Sequence, residues 1–214
     1  MTSAVTGGNG SDGTAVEAGG DAGLALPARR QLLLAALATG VAVAGSAQAD
    51  DEPLPGSEER PQPGDLLVVA EGDQEGKIIK PDDLPLGGPQ VLAWPMDPKT
   101  KVVRNGSRLN QVLVLRLAST ELDDDTKARA AEGIVAYSAI CSHAGCPVTA
   151  WVKQDDKAVL KCLCHNSEYD PRQGAQVVFG PAPRHLAALP LALVGESITI
   201  SQGFVGKVGA QQSA

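Results

Sequence analysis

Aromatic side chains are scarce in this chain, with two Trp, two Tyr and two Phe among 214 residues. A hydrophobic core must therefore be built from Val, Leu, Ile and Ala, and the apolar share of 43% supplies enough of them. No block rich in Lys and Arg is present, and 18 cations against 25 carboxylates leave a net charge of −7. That balance excludes a nucleic-acid backbone as partner. There is no internal repeat, and the length allows one or two domains with a real core. Cysteine and histidine are also few, four and three, yet all four Cys and two of the His fall in the 25 residues 141–165. So tight a gathering of ligand-competent residues is not a random scatter.

The chain divides by composition. Residues 1–28 are rich in Gly, Ala and Ser, carry Asp12, Glu17 and Asp21 but no Lys or Arg, and read as a disordered tail. Arg29-Arg30 then precede a moderately apolar run over 32–49 that closes on Ala47-Gln48-Ala49, the parts of an export signal with a small-residue cleavage site. It is similar to a twin-arginine signal, which exports proteins already folded; an ordinary Ala-rich helix is the alternative. As a helix 32–49 would span about 27 Å, slightly short of the roughly 20 residues of a comfortable membrane crossing. It is read as either a removed signal or a retained membrane anchor over 29–49, and either places the rest on the periplasmic side of the cytoplasmic membrane. Residues 50–64, charged and with four prolines, predict an extended, semi-stiff linker.

A folded domain is expected over 65–209, followed by a short tail over 210–214. Short β-prone runs at 65–70, 77–80, 90–93, 111–117, 133–140, 158–162, 175–179, 191–194 and 197–201 are separated by Pro-Asp, Gly-Gly-Pro, Asn-Gly and Asp-Pro turns. One helix is predicted from a cap at Ser119 or Thr120 through Glu132, with Asp123, Asp124 and Asp125 near its N-terminus. The fold class is mainly β and antiparallel, with one short helical excursion.

Two boxes carry the chemistry. The first is Cys141-Ser142-His143-Ala144-Gly145-Cys146; the second, after fifteen residues, is Cys162-Leu163-Cys164-His165-Asn166-Ser167-Glu168-Tyr169-Asp170. Six candidate ligands are present where a tetrahedral metal, or a pair of tetrahedral irons, needs four. Three accounts compete. Two disulfides with bystander histidines explain the even cysteine count but not the His beside each pair. A Cys2His2 zinc site would space its pairs C-x2–4-C and H-x3–5-H, whereas here Cys and His are mixed in each box. A binuclear iron–sulfur cluster takes two Cys on one iron and two His on the other, leaving one Cys per box free to pair. Only the last account uses all six.

These boxes, followed by Gly180-Pro181-Ala182-Pro183, resemble a Rieske protein. The likeness is specific over 133–184 and looser over 65–209, and it implies an antiparallel β sandwich with an inserted cluster-binding part over 136–184. It implies one 2Fe-2S cluster, with Cys141 and Cys162 as ligands of the inner iron, His143 and His165 as ligands of the outer iron, and Cys146 and Cys164 joined in a disulfide. Ser167 and Tyr169 match hydroxyls that tune the potential upward, and Gly180, Pro181, Ala182 and Pro183 match the loop that covers the cluster. No residue is assigned a catalytic role. His185 is read as a surface residue, and Trp94 and Trp151 as core or edge residues.

Replacing two thiolates by imidazoles leaves the oxidised core less negative than an all-Cys site, so the electron enters more easily, at higher potential. A ring nitrogen not bound to iron can hold a proton, which couples electron to proton transfer. Leu163, Asn166 and Ala144 depart from the residues frequent at these places in the family, and small Ala144 leaves less apolar surface for docking into a quinol pocket. The extra Cys pair points to the respiratory type. The resemblance implies the iron–sulfur subunit of a quinol–cytochrome c reductase, between a cytochrome b subunit and a c-type cytochrome. The alternative is the small subunit of an exported molybdenum oxidoreductase of the arsenite-oxidase kind, with a molybdenum subunit as donor. A zinc- or disulfide-stabilised binding module without redox work is the remaining reading.

Overall fold

The computed structural model describes residues 53–154 and 157–210, and the tail and export-signal readings lie outside them. Period-2 alternation of apolar residues builds the architecture. In β3 (Val112–Arg116) and β4 (Ile134–Ser138), Leu113, Leu115, Val135 and Tyr137 enter one core while Val112, Val114, Ile134 and Ala136 enter a second. Successive side chains point to opposite faces of a strand, so an unbroken run such as Val-Leu-Val-Leu suits a pair buried on both sides. Around this pair lies a six-stranded antiparallel sheet of order β4-β3-β2-β1-β10-β9, with β1 (Leu66–Val69), β2 (Val91–Met96), β9 (Leu191–Val194) and β10 (Ser197–Ile200).

Between β4 and β9 the chain inserts a second antiparallel sheet, β5 (Ala150–Gln154), β6 (Lys157–Cys162), β7 (Ser167–Asp170) and β8 (Gln176–Phe179), in sequential order. Both cysteine boxes adjoin this inserted part. The first lies on the connection from β4 to β5, and the second spans the β6–β7 hairpin. Leu160, Cys162 and Tyr169 of the inserted sheet share one core with Leu113, Leu115 and Tyr137 of the large sheet, which fixes the small sheet against the large one.

Several elements differ from the sequence expectation. β5 and β7 lie where no strand is predicted, and the 77–80 run is reduced to one bridge between Val68 and Ile78. The helix expected from 119 to 132 becomes a 3-10 turn at Ser119–Glu121 and a single turn, α1 (Asp124–Lys127), capped by Asp123, whose carboxylate accepts the Thr126 N–H at 2.7 Å. It cannot run further, because Ala131 and Ile134 exchange backbone hydrogen bonds across Glu132 and Gly133, whose φ values are +51° and +84°. Two consecutive left-handed residues form a tight hairpin turn that a helix cannot pass.

The stretch expected to be an extended linker is docked from Gly56 to Gly64. Gly64 N–H donates to the Ile200 carbonyl at 2.8 Å, and Gly106 N–H to that of Ser57 at 3.0 Å. Arg104 makes the central contact. Its Nε and Nη2 donate to the two Asp65 carboxylate oxygens at 2.6 and 3.1 Å, and Nη1 to Glu59 at 2.7 Å and to the Gly56 carbonyl. The Arg104 and Asp65 side chains are only 6% and 3% exposed, so neither charge can fall back on water. Removing one member of a buried pair strands the other, at about 3–5 kcal/mol. Arg104→Met is accordingly expected to lower the urea-unfolding free energy by about that amount; a loss below about 1 kcal/mol would class the contact with screened surface pairs.

Candidate metal centre

The first box is a loop closed on its own backbone. Cys141 N–H donates to the Cys146 carbonyl at 2.8 Å and Gly145 N–H to that of Cys141 at 3.0 Å, while Ile140 and Pro147 bridge at its neck. Gly145, at φ +72°, makes the reversal. The second box is the turn between β6 and β7, where Cys162 and Ser167 are register partners. Asn166 sits at φ +58°, a conformation Asn tolerates better than most residues, so it can stand where Gly is frequent. Gly180 closes a third side. A Cβ there would lie 2.6 Å from Ser167 Cα and 2.7 Å from the Asn166 carbonyl oxygen, so only glycine lets the 180–183 loop press this close. Ala182 is buried in the same core as Cys141 and Cys162, while Pro181 and Pro183 are exposed.

The two loops converge. Cys146 and Cys164 form a disulfide across a sequence separation of 18, and Cys141 and Cys162 are free thiols, 2% and 1% exposed. The sulfurs of Cys146, Cys162 and Cys164 lie within 4.8 Å of one another, and with two of them in the disulfide only the Cys162 thiol there remains open to a metal. The rings of His143 and His165 meet edge to face, centroids 4.7 Å apart. His143 is half-buried and its Nδ1 is buried with no hydrogen-bond partner among the described residues, while His165 is exposed.

The polar surroundings are graded. The Tyr169 hydroxyl lies 3.1 Å from Cys141 Sγ and accepts the Ser142 N–H at 3.4 Å. Burial first, and then the neighbouring Cys141, push the Tyr169 phenol well above its ordinary range, so it stays a neutral donor. Burial likewise pushes the Cys162 thiol up, against the pull of the Cys164 and His165 backbone N–H groups. Ser167 Oγ is buried and has no hydrogen-bond partner among the described residues. Two thiols, two facing imidazoles with an orphaned ring nitrogen, and an orphaned hydroxyl in one spot leave room for a group that would use them.

Over 150 residues the chain is 32% identical to the cytochrome bc1 complex Rieske iron–sulfur subunit of Streptomyces lividans, covering 67% of this chain and 85% of the relative. The chain belongs to the Rieske family. The model of the Rieske [2Fe-2S] domain matches residues 94–190. The subunit of the same name from Mycobacterium tuberculosis is 29% identical over 162 residues, of which this chain spans only 37% of the length. A protein of Haloferax mediterranei provisionally named a respiratory nitrate reductase Rieske subunit is 37% identical over 108 residues, half of this chain and 47% of the relative. The domain is thus an electron-transfer domain for one 2Fe-2S cluster, and the donor set of the two loops fits such a cluster.

Other side chains hold the Rieske loops without any motif to announce them. Arg108 Nη1 donates to the Gly145 carbonyl at 2.9 Å, and Ser142 Oγ donates to that of Arg184 at 2.6 Å. Their partners are backbone carbonyls, which leave no trace in a sequence. His185 is exposed, and Trp94 and Trp151 are half-buried in β2 and β5. Gly180→Ala is expected to force the 166–167 backbone away and to lower the iron and acid-labile sulfide bound per chain at least several-fold; full cluster content in that variant would show that the loop yields at little cost.

Proposed function

We propose that this chain is the iron–sulfur subunit of a quinol–cytochrome c reductase, carrying single electrons through a 2Fe-2S cluster held by Cys141, His143, Cys162 and His165. The gradient of burial across those four residues carries the reading. The two thiols are shut away, His143 is half-buried and His165 reaches the surface, so an electron is held in a protected site with one edge open to partners. When bound, the cluster supplies one-electron redox chemistry. Everything else falls to the chain. His165 presents an imidazole edge that can hold a proton and hydrogen-bond a quinol, or lie against a c-type cytochrome. Leu163 and Phe179, 62% and 60% exposed, add apolar surface on the second loop and on β8, which offsets the small Ala144. Tyr169 directs its hydroxyl at Cys141 Sγ, and Ser167 keeps a buried hydroxyl free to donate toward the cluster. Both favour the more negative, reduced state.

The names of the Streptomyces lividans and Mycobacterium tuberculosis relatives support placement beside cytochrome b and a c-type cytochrome. A second reading is the small subunit of an exported molybdenum oxidoreductase of the arsenite-oxidase kind with a soluble cytochrome as acceptor; the Haloferax mediterranei relative, named a respiratory nitrate reductase subunit, supports a setting other than the bc1 complex. In both, Arg29-Arg30 direct folded export to the periplasmic side. No helix among the described residues is long and apolar enough to cross a membrane, so anchoring through residues 32–49 separates the two readings.

The purified protein reduced with ascorbate is expected to give a rhombic 2Fe-2S EPR signal. A signal that needs dithionite would remove respiratory quinol oxidation, and silence under both would return zinc and disulfide sites to the front. Cys162→Ser and His165→Ala should each lose the signal, whereas His185→Ala keeps it; retention in either of the first two would displace that residue from the ligand set. Ser167→Ala and Tyr169→Phe should each keep the cluster and lower its midpoint by about 60 mV, the one-electron equivalent of about 1.4 kcal/mol of hydrogen bonding to the reduced state. Unchanged midpoints would assign both hydroxyls to packing.

A further inference from the structure

Behind the first cysteine loop lies a groove of about 700 Å³, with Ala144 and Gly145 on one wall. Its floor is apolar, from Leu109, Ile140 and Phe204, and its rim carries Arg60, Arg108 and Lys207. Among the described residues no carboxylate lines it, although the chain as a whole carries an excess of seven negative charges. A second groove, of about 270 Å³, shares Gly206 and Lys207 with the first and adds Arg129 and Arg184, again without a carboxylate. Among the described residues none of these five cations has an ion-pair partner. The Nε of Arg184 is, besides, a buried donor with no acceptor among the described residues.

Cations normally find carboxylates on an acidic surface, and a gathering of them that finds none among the described residues is complementary to an anion from outside. The volume lies within the range of small-molecule sites. The apolar floor rules the shape further: a bare inorganic anion leaves Leu109 and Phe204 uncovered, and a convex acidic protein face does not enter a concave groove. An amphiphile with an anionic head satisfies floor and rim together.

The geometry points to this groove as a binding site for an acidic phospholipid of the membrane surface, its phosphate between Arg60, Arg108 and Lys207 and the adjoining glycerol and acyl carbons on the apolar floor. Arg108 then serves two contacts, since it also donates to Gly145 of the first cysteine loop. A lipid held there sets the orientation of that loop to the leaflet. From the function proposed above this borrows only the placement beside a membrane, and it is tested without any redox readout, so the two fail separately.

The full-length, cluster-loaded protein is sedimented with vesicles of phosphatidylcholine alone and with vesicles of equal parts phosphatidylcholine and phosphatidylglycerol. Arg60→Gln/Lys207→Gln alters two exposed side chains outside the core, and Lys99→Gln/Lys101→Gln makes the same charge change on an exposed turn that lines neither groove. Arg29, Arg30 and residues 32–49 are present in every protein, so their contribution cancels. The groove variant is expected to lose about 30-fold of its partition onto the mixed vesicles, with none lost on phosphatidylcholine and far less lost by the turn variant. Equal losses in the two variants, or no preference of the wild type for phosphatidylglycerol, overturn the site. Saturable binding of inorganic phosphate through Arg60 and Lys207 that displaces the vesicles assigns it to a free anion instead. Binding of an oligoglutamate peptide through the same residues, with no vesicle preference, assigns it to an acidic protein.

Discussion

A thiol removed from water cannot ionise unless a cation stands beside it, and this molecule buries two such thiols together. Cys141 and Cys162 are almost without solvent contact, and burial pushes Cys162 toward its neutral form. Both lie in the same hydrophobic core. A positively charged centre is what would make Cys162 available as a thiolate, and the surrounding fold holds the two loops that carry both thiols side by side.

Three independent ties maintain that separation. The Cys146–Cys164 bond joins loop to loop, the Gly180 backbone lies against the second loop, and Arg108 and Arg184 fasten the first loop to chain segments far away in sequence. Each works on backbone or on a covalent link, which keeps the side chains of His143 and His165 free. The result is a rigid seat with an exposed imidazole edge, in accord with the need of electron transfer for little rearrangement and close approach of a partner.

The sequence announces chemistry more clearly than shape. Metal ligation demands particular residue types at fixed spacing, so the two boxes stand out, as do strands such as β3 whose buried residues are all Val and Leu. β7 is hidden because Ser-Glu-Tyr-Asp reads as a turn. It is a fully buried strand only because Glu168 pairs with Lys161 and Asp170 with Arg172. Trp151 and Val152 of β5 sit beside polar Lys153 and Gln154, and their strand identity comes from register with β6. The truncated helix turns on Glu132, a residue with no intrinsic taste for φ +51°. The docked stretch before Asp65 depends on Arg104, 39 residues downstream of that aspartate. Long-range capture of this kind has no local signature.

That capture changes a length. A head free from Ala49 to Gly64 would swing on fifteen residues, at most about 50 Å of fully extended chain. Gly56–Gly64 lies fastened to the domain instead, so nine of those fifteen residues belong to the folded body. To free that length, Arg104 would have to release Asp65, Glu59 and the Gly56 carbonyl together.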